Sequence, residues 1–173
     1  MKRKICIIGS GSWGAALAIH IANMGHSVKL WSFSQEEADL INNEHKCKFL
    51  PMATMPKSIK CTTDIEEAVV GSDMILHVTP SKFTRDTVKK YKDFVENQPI
   101  ILCSKGFEAD TLYTLEDVVR EEMPNAKLGV LTGPSHAEEV SIGIPTAIVI
   151  ASQSLDVQYS VQDTLMNENL RVY

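Results

Sequence analysis

The stretch Lys4-Ile5-Cys6-Ile7-Ile8-Gly9-Ser10-Gly11-Ser12-Trp13-Gly14 decides the fold of this chain, because it joins a short apolar run to a glycine-rich turn. Its glycines match G-x-G-x-x-G, and the alanine-rich residues 15–19 that follow predict a helix. In such a unit the first glycine permits the tight turn, the second lets the backbone approach a pyrophosphate, and the third allows close helix–strand packing. The helix N-terminus then offers free N–H groups to phosphate. The stretch therefore predicts a dinucleotide site, and the alternative is three turn glycines at a strand–helix corner.

The rest of the chain alternates short apolar runs with longer segments of helical period. Continuous apolar runs are typical of strands that are buried on both faces, as in parallel sheets. This alternation predicts an α/β fold with a doubly wound, mainly parallel sheet and right-handed crossovers, a Rossmann-type domain over residues 1–173. The predicted strands are 4–8, 28–31, 59–62, 74–78, 100–103, 128–131, 147–150 and 169–173, and the predicted helices are 12–24, 35–43, 65–70, 81–96, 114–123, 135–141 and 155–166.

Composition narrows the classes of function. The 173 residues suffice for one core, and the formal net charge of −5 argues against nucleic-acid binding, which needs a basic surface. The four cysteines show no C-x-x-C or zinc spacing, so we expect free thiols and no metal. No apolar segment approaches the ~20 residues of a membrane span, and the apolar run after the N-terminal basic residues is too short for a signal peptide. We expect a cytoplasmic protein without a membrane span.

The cofactor is less well defined than the glycine turn. An NAD-binding fold often places Asp or Glu at the end of the second strand, where it binds the ribose. Here that position reads Ser32-Phe33-Ser34, and Glu36 and Glu37 come slightly later. No Arg or Lys is present there for a 2′-phosphate either, so the pattern favours NAD slightly and leaves NADP open.

Six motifs in order carry a resemblance that extends over essentially the whole chain. They are Gly9-Ser-Gly-Ser-Trp-Gly, Leu30-Trp-Ser-Phe, Val78-Thr-Pro-Ser-Lys-Phe, Ser104-Lys-Gly-Phe-Glu, Gly133-Pro-Ser-His-Ala-Glu-Glu and Gly143-Ile-Pro-Thr-Ala. Together they resemble the N-terminal domain of NAD(P)-dependent glycerol-3-phosphate dehydrogenase. The resemblance implies hydride transfer between a nicotinamide and dihydroxyacetone phosphate or sn-glycerol 3-phosphate, in the service of glycerophospholipid synthesis.

The resemblance also implies roles for individual residues. A lysine common to both sites, Lys105, would touch the nicotinamide side and the small phosphorylated substrate. The implied substrate contacts are Lys105, Gly133 and Ser135, and the implied cofactor contacts are Gly9, Gly11, Ser12, Trp13, Gly14, Phe33, Phe83, Lys105 and Ala137.

The residues themselves support part of this assignment. Lys105 follows the fifth predicted strand, at the edge of the sheet where open α/β folds bind ligands, and a compact ammonium there can polarise a ketone oxygen. Its alternative is a solvated surface lysine. Gly133-Pro134-Ser135 is predicted to close a strand and open a helix whose N-terminus could receive an anion, with a simple Ser135 helix cap as the alternative. Among the histidines, only His136 adjoins this loop.

The chain departs from the family in one respect. Full-length members carry a second, all-helical domain that this chain lacks; the resemblance implies that it supplies the general acid/base lysine, beyond Tyr173, and most of the homodimer contacts. We therefore expect no catalytic acid/base within these residues and, for the chain alone, dinucleotide binding with little or no turnover. Two alternatives remain open: an NAD-sensing regulatory Rossmann module, and a related two-domain hydroxy-acid or ketopantoate-type dehydrogenase.

Overall fold

A single eight-stranded sheet organises the chain, which a computed structural model describes over residues 1–173. The strands lie in the order β3-β2-β1-β4-β5-β6-β7-β8. Their bounds are β1 Lys4–Ile8, β2 Ser27–Trp31, β3 Lys60–Thr62, β4 Met74–His77, β5 Ile100–Leu102, β6 Leu128–Thr132, β7 Thr146–Ala151 and β8 Leu170–Val172. The first six strands are parallel, so the predicted Rossmann-type fold is confirmed.

Seven α-helices connect these strands. They are α1 Ser12–Asn23, α2 Gln35–Asp39, α3 Ile65–Val69, α4 Thr84–Tyr91, α5 Leu115–Glu122, α6 Ala137–Ser141 and α7 Leu155–Leu165. A π-helical turn, Leu40–Glu44, extends α2, and 3₁₀ turns flank α4 at Ser81–Phe83 and Lys92–Phe94, so the single helix predicted over 81–96 is a composite. None of the helices combines the length and the apolar character that a membrane-spanning helix requires.

Helix starts follow local chemistry where the sequence carries a cap. The Asp64 side chain accepts a hydrogen bond from the Glu67 N–H, and Thr114 forms a reciprocal capping box with Asp117. Each cap satisfies donors that the first helical turn would otherwise leave without a partner. The predicted starts of α3 and α5 are therefore correct to within one residue.

Two apolar layers cover the two faces of the sheet. The larger core cluster has 32 buried residues and includes α1, which packs against α6, while the smaller has 13 and includes the buried faces of α4 and α5. Strand β4 is buried at every position, as its continuous apolar run predicts.

Strand β7 departs from that pattern. It runs antiparallel to β6, and its residues alternate between buried and exposed, although its apolar sequence predicted burial on both faces. Thr146, Ile148 and Ile150 face the core, while Val149 on the other face is 47% exposed. The reason is positional: β7 lies near the end of the sheet, where one face lacks a covering helix.

Candidate functional site

A cavity of about 1090 Å³ lies at the carboxyl ends of the central strands. It is situated where the strand order reverses, between β1 and β4, which is where open α/β sheets bind their ligands. The cavity brings together ten of the eleven residues implied as ligand contacts: Gly9, Gly11, Ser12, Trp13, Gly14, Phe33, Phe83, Lys105, Ser135 and Ala137. Gly133 is not among its lining residues.

The glycine turn owes its shape to two close approaches. Gly9 has φ +122°, a conformation that a side chain would strain, and its N–H donates to the Trp31 carbonyl at 3.0 Å. A Cβ on Gly14 would lie 1.9 Å from the Gly9 carbonyl oxygen, so only glycine lets α1 start this close to β1. A Cβ on Gly11, by contrast, would meet nothing within 4 Å. The second glycine therefore leaves open space on the cavity side rather than serving internal packing.

Helix α1 presents its N-terminus to this space. Gly11 is its N-cap, no side chain caps the first turn, and no acidic residue lies in it. The N–H groups at the start of an α-helix lack intrahelical acceptors and carry the positive end of the helix dipole. The first turn of α1 therefore offers donors and a favourable field to an anion in the cavity.

Aromatic rings border the cavity on its outer side. Phe33 is 83% exposed and Phe83 is 48% exposed, although both are apolar. The Lys90 ammonium, on α4, lies 5.5 Å from the centroid of the Phe33 ring and 6.0 Å from that of Trp31. Exposed rings at a cavity rim can stack on planar heterocycles. The Lys90 ammonium is attracted to the electron-rich faces of the Phe33 and Trp31 rings.

Lys105 lies three residues beyond the end of β5 and is exposed to the cavity. None of the ion pairs in the structure involves it, so its charge is free to meet a ligand. The loop beneath it is held by Ser104, whose hydroxyl donates to the Thr79 carbonyl at 2.5 Å. Gly106, at φ +105°, completes the turn, and a Cβ at this position would lie only 3.2 Å from the Ser81 hydroxyl oxygen.

The segment after β6 differs from its prediction. Helix α6 begins at Ala137 with His136 as N-cap, two residues later than predicted, and Ser135 does not cap it. The residue before a proline is disfavoured in the helical region, and Gly133, which precedes Pro134, has φ +157°. A Cβ on Gly133 would lie 2.9 Å from the Ile148 Cα, so this glycine is required for packing against β7.

A buried histidine supports the floor of the cavity. The imidazole of His77 hydrogen-bonds to the hydroxyls of Thr79, at 2.8 Å, and Tyr91, at 3.3 Å. Complete burial lowers the pKa of His77 to about 4, so its ring is neutral at physiological pH. Burial likewise raises the pKa of the Cys103 thiol well above its ordinary value, so Cys103, which lines the cavity, is not poised as a nucleophile.

The sequence did not predict that Glu37 reaches back to the glycine turn and forms a polar cluster with Ser10 and Ser32 at the end of β2. The Ser10 hydroxyl lies 2.8 Å from that of Ser32 and donates to Oε2 of Glu37 at 2.5 Å. The signal in the sequence was Ser34, whose Oγ caps α2 by accepting from the Glu37 N–H at 3.4 Å. A cap three residues earlier places Glu37 in the first helical turn, next to the strand end.

All four cysteines are free and buried, and no cluster of three or more potential metal ligands is present.

Comparisons with known proteins agree with this geometry. Residues 4–158 match the family model described as NAD-dependent glycerol-3-phosphate dehydrogenase N-terminus. Among curated relatives, the glycerol-3-phosphate dehydrogenase [NAD(P)+] of Agathobacter rectalis is 44% identical over 98% of this chain and 51% of its own length, and that of Fusobacterium nucleatum is 43% identical over 98% and 52%. The crystal structure of the Coxiella burnetii glycerol-3-phosphate dehydrogenase superposes with a TM-score of 0.94 at 31% identity, covering 99% of this chain and 53% of that one. The chain thus spans about half the length of these relatives.

Proposed function

Because this chain belongs to the family of the NAD-dependent glycerol-3-phosphate dehydrogenase N-terminus, we propose that it is the dinucleotide-binding half of an NAD(P)-dependent glycerol-3-phosphate dehydrogenase. In this proposal the complete enzyme transfers hydride between nicotinamide and dihydroxyacetone phosphate or sn-glycerol 3-phosphate and serves glycerophospholipid synthesis. The observation that carries the proposal is the cavity at the strand-order reversal, which joins the glycine turn, the open N-terminus of α1 and the unpaired Lys105.

The residues present fit a dinucleotide. Because Gly11 has no Cβ, a pyrophosphate can approach the first turn of α1 closely. The N–H groups of that turn belong to Ser12, Trp13 and Gly14. The cavity volume accommodates a ligand of that size, since small-molecule pockets run from roughly 300 to 1,000 Å³. Phe33 and Phe83 offer exposed rings at its rim, and Ala137 is among its lining residues.

Lys105 is proposed to act on the substrate side. A bound nicotinamide supplies or accepts the hydride, and the residues of this chain orient the reacting carbonyl beside it. The Lys105 ammonium can hydrogen-bond to the ketone oxygen and stabilise the negative charge that develops there. Ser135 and Gly133, in the loop before α6, are proposed to contact the substrate. Of the two, Ser135 lines the cavity.

The remaining parts of the proposal concern the complete protein. We propose that a further helical domain supplies the general acid/base lysine and most of the grip on the substrate phosphate, and that the full-length enzyme is a cytoplasmic homodimer. The chain's coverage of only about half of its relatives supports the first point. The comparisons do not favour a purely NAD-sensing module or a ketopantoate-type dehydrogenase.

Two measurements on the 173-residue chain test the proposal. Titration with NADH should quench tryptophan fluorescence, because Trp13 and Trp31 both line the cavity. A steady-state assay with dihydroxyacetone phosphate and NADH should give little or no turnover, since positioned proton transfer alone contributes ~10²–10⁴-fold and we propose that the further domain supplies that group. No response to either NADH or NADPH would refute the dinucleotide assignment, and normal turnover would refute the need for a second domain.

A further inference from the structure

Arg85 lies in the first turn of α4 and ties this helix to the loop between β5 and α5. Its guanidinium donates to both carboxylate oxygens of Glu108, from Nε to Oε1 and from Nη2 to Oε2, each at 2.7 Å. It also donates to Glu121 at 2.7 Å and to Glu122 at 3.2 Å, both on α5. A forked pair with a carboxylate fixes its orientation as well as its position, so Glu108 is held towards α4.

Glu108 is also a close neighbour in sequence of Lys105, the cation proposed to act on the substrate. Three residues of fully extended chain span at most ~11 Å, and Gly106 bends this segment at φ +105°. Two long side chains can bridge such a separation, so Glu108 is an available ion-pair partner for Lys105. In the structure Lys105 takes part in no ion pair, and Glu108 is paired with Arg85 instead.

The charges around Arg85 balance without Lys105. The network holds three cations and three carboxylates, namely Arg85, Lys89, Lys92, Glu108, Glu121 and Glu122. Both lysines engage Glu122, at 3.7 Å and 3.2 Å, so neither is free to replace Arg85 at Glu108. The Glu108 side chain is only 14% exposed, and a largely buried carboxylate that loses its cation gains by turning to another. Lys105, which is exposed and unpaired, is the cation that Glu108 can then recruit.

We propose that Arg85 is a positioning residue that keeps Lys105 available to the substrate by engaging Glu108. The inference rests on the proposed function, in which the Lys105 ammonium stabilises the negative charge that develops on the ketone oxygen. An ammonium paired with Glu108 would be partly neutralised and would stabilise that charge less. The loop has a second anchor at Ser104, whose hydroxyl donates to the Thr79 carbonyl, so we expect the backbone beneath Lys105 to stay in place when Arg85 is replaced.

The test measures how fast acetic anhydride acetylates Lys105 in the 173-residue chain, because pairing with a carboxylate protects the amine. Site-resolved mass spectrometry compares this rate with that of the exposed Lys57 in the same sample. The variants are Arg85→Met and Arg85→Gln, each alone and combined with Glu108→Gln; the glutamine at position 85 keeps an amide donor for the α5 carboxylates. The matched control is Arg120→Met, which removes a cation from an ion pair within α5. Circular dichroism establishes that each variant is folded.

Each single Arg85 variant should slow the acetylation of Lys105 by about threefold, a factor typical of one exposed ion pair. Adding Glu108→Gln should return the rate to within about 1.5-fold of the wild type, and Arg120→Met should leave it unchanged. A folded Arg85 variant with the wild-type rate overturns the inference. So does a slow rate that persists after Glu108→Gln, because the loop would then have moved without an ion pair forming.

The same variants in the complete enzyme separate this inference from the proposed function. With dihydroxyacetone phosphate and saturating NADH, each single Arg85 variant should lower kcat several-fold while the KM for NADH stays within about twofold, and Glu108→Gln should restore kcat. An active enzyme whose kcat is unchanged by Arg85→Met overturns the inference. A wild-type enzyme that does not reduce dihydroxyacetone phosphate refutes the proposed function, whereas the acetylation rates still decide whether Arg85 controls the pairing of Lys105.

Discussion

Replacing Gly14 with alanine would place a Cβ 1.9 Å from the carbonyl oxygen of Gly9. Contacts under 3.0 Å essentially never occur for a real Cβ, so α1 and the glycine turn would have to separate by about 1 Å. Because the opposing atom belongs to the backbone and cannot rotate away, the cost lies at the upper end of overpacking, about 3 kcal/mol. Alanine recovers up to about 1 kcal/mol of helix propensity over glycine. The expected net loss of unfolding free energy is therefore about 2 kcal/mol.

The neighbouring Gly11→Ala variant provides the control, because the same added methyl would meet nothing within 4 Å. Gly11 is the N-cap, where alanine costs under about 1 kcal/mol, but the methyl enters the space proposed for the pyrophosphate. We expect this variant to remain near wild-type stability and to lose at least tenfold in NADH affinity.

Urea denaturation and NADH titration separate the two effects. With a slope of about 2 kcal/mol per molar urea, Gly14→Ala should lower the denaturation midpoint by about 1 M, and Gly11→Ala by much less. The reasoning is refuted if Gly14→Ala unfolds at the wild-type midpoint, or if Gly11→Ala binds NADH as tightly as the wild type.

Three further predictions concern residues outside the glycine turn. Arg85→Met should lower the unfolding free energy by about 2 kcal/mol at neutral pH, because it leaves the partly buried Glu108 carboxylate without its cation. Since hydrogen bonding to Arg85 lowers the pKa of Glu108 to about 2, this difference between wild type and variant should persist above pH 4.5 and shrink as the pH falls towards 2 in urea titrations. Burial lowers the pKa of His77 to about 4, so this residue costs no stability above pH 6.5 and should contribute a loss of roughly 3 kcal/mol as the pH falls from 6.5 to 4. His77→Leu should flatten the fall of unfolding free energy in that range by a similar amount, and an unchanged slope would contradict the assignment. Gly133→Ala should lower the thermal midpoint, because its Cβ would lie 2.9 Å from the Ile148 Cα, while the NADH dissociation constant stays within threefold; a large loss of NADH affinity in a stable variant would place Gly133 in the cofactor site instead.

Local chemistry accounts for the elements that the sequence predicted well. Strand β1 has its predicted bounds, because five residues with one apolar run end directly at a glycine. The capping box of Thr114 and Asp117 sets the start of α5 through atoms only three residues apart. The glycine turn is similar, since the approach of Gly14 to Gly9 depends on the geometry of a single strand–helix unit.

Long-range packing accounts for what the sequence mispredicted. The apolar residues of β7 suggested burial on both faces, but nothing in them specifies that β7 runs antiparallel beside β6 with one face exposed. Helix α6 starts two residues later than predicted, and the loop before it contains Gly133, which packs against β7, a strand more than ten residues further along the chain. Neither feature can be predicted from a short stretch of sequence, because each depends on which strand packs beside that stretch in the folded chain.

The sequence by itself determined the Rossmann-type fold, the glycine turn and most of the predicted residues that line the cavity, because strand period, helix caps and the glycine spacing act over a few neighbouring residues. Only the tertiary structure decided how the end of the cavity beside β2 is built. Ser10, Ser32 and Glu37 are separated by up to 27 residues and meet through a 2.5 Å hydrogen bond that no spacing rule contains. Hydrogen bonds of this kind depend on the relative placement of a strand, a turn and a helix, which is settled when the core packs.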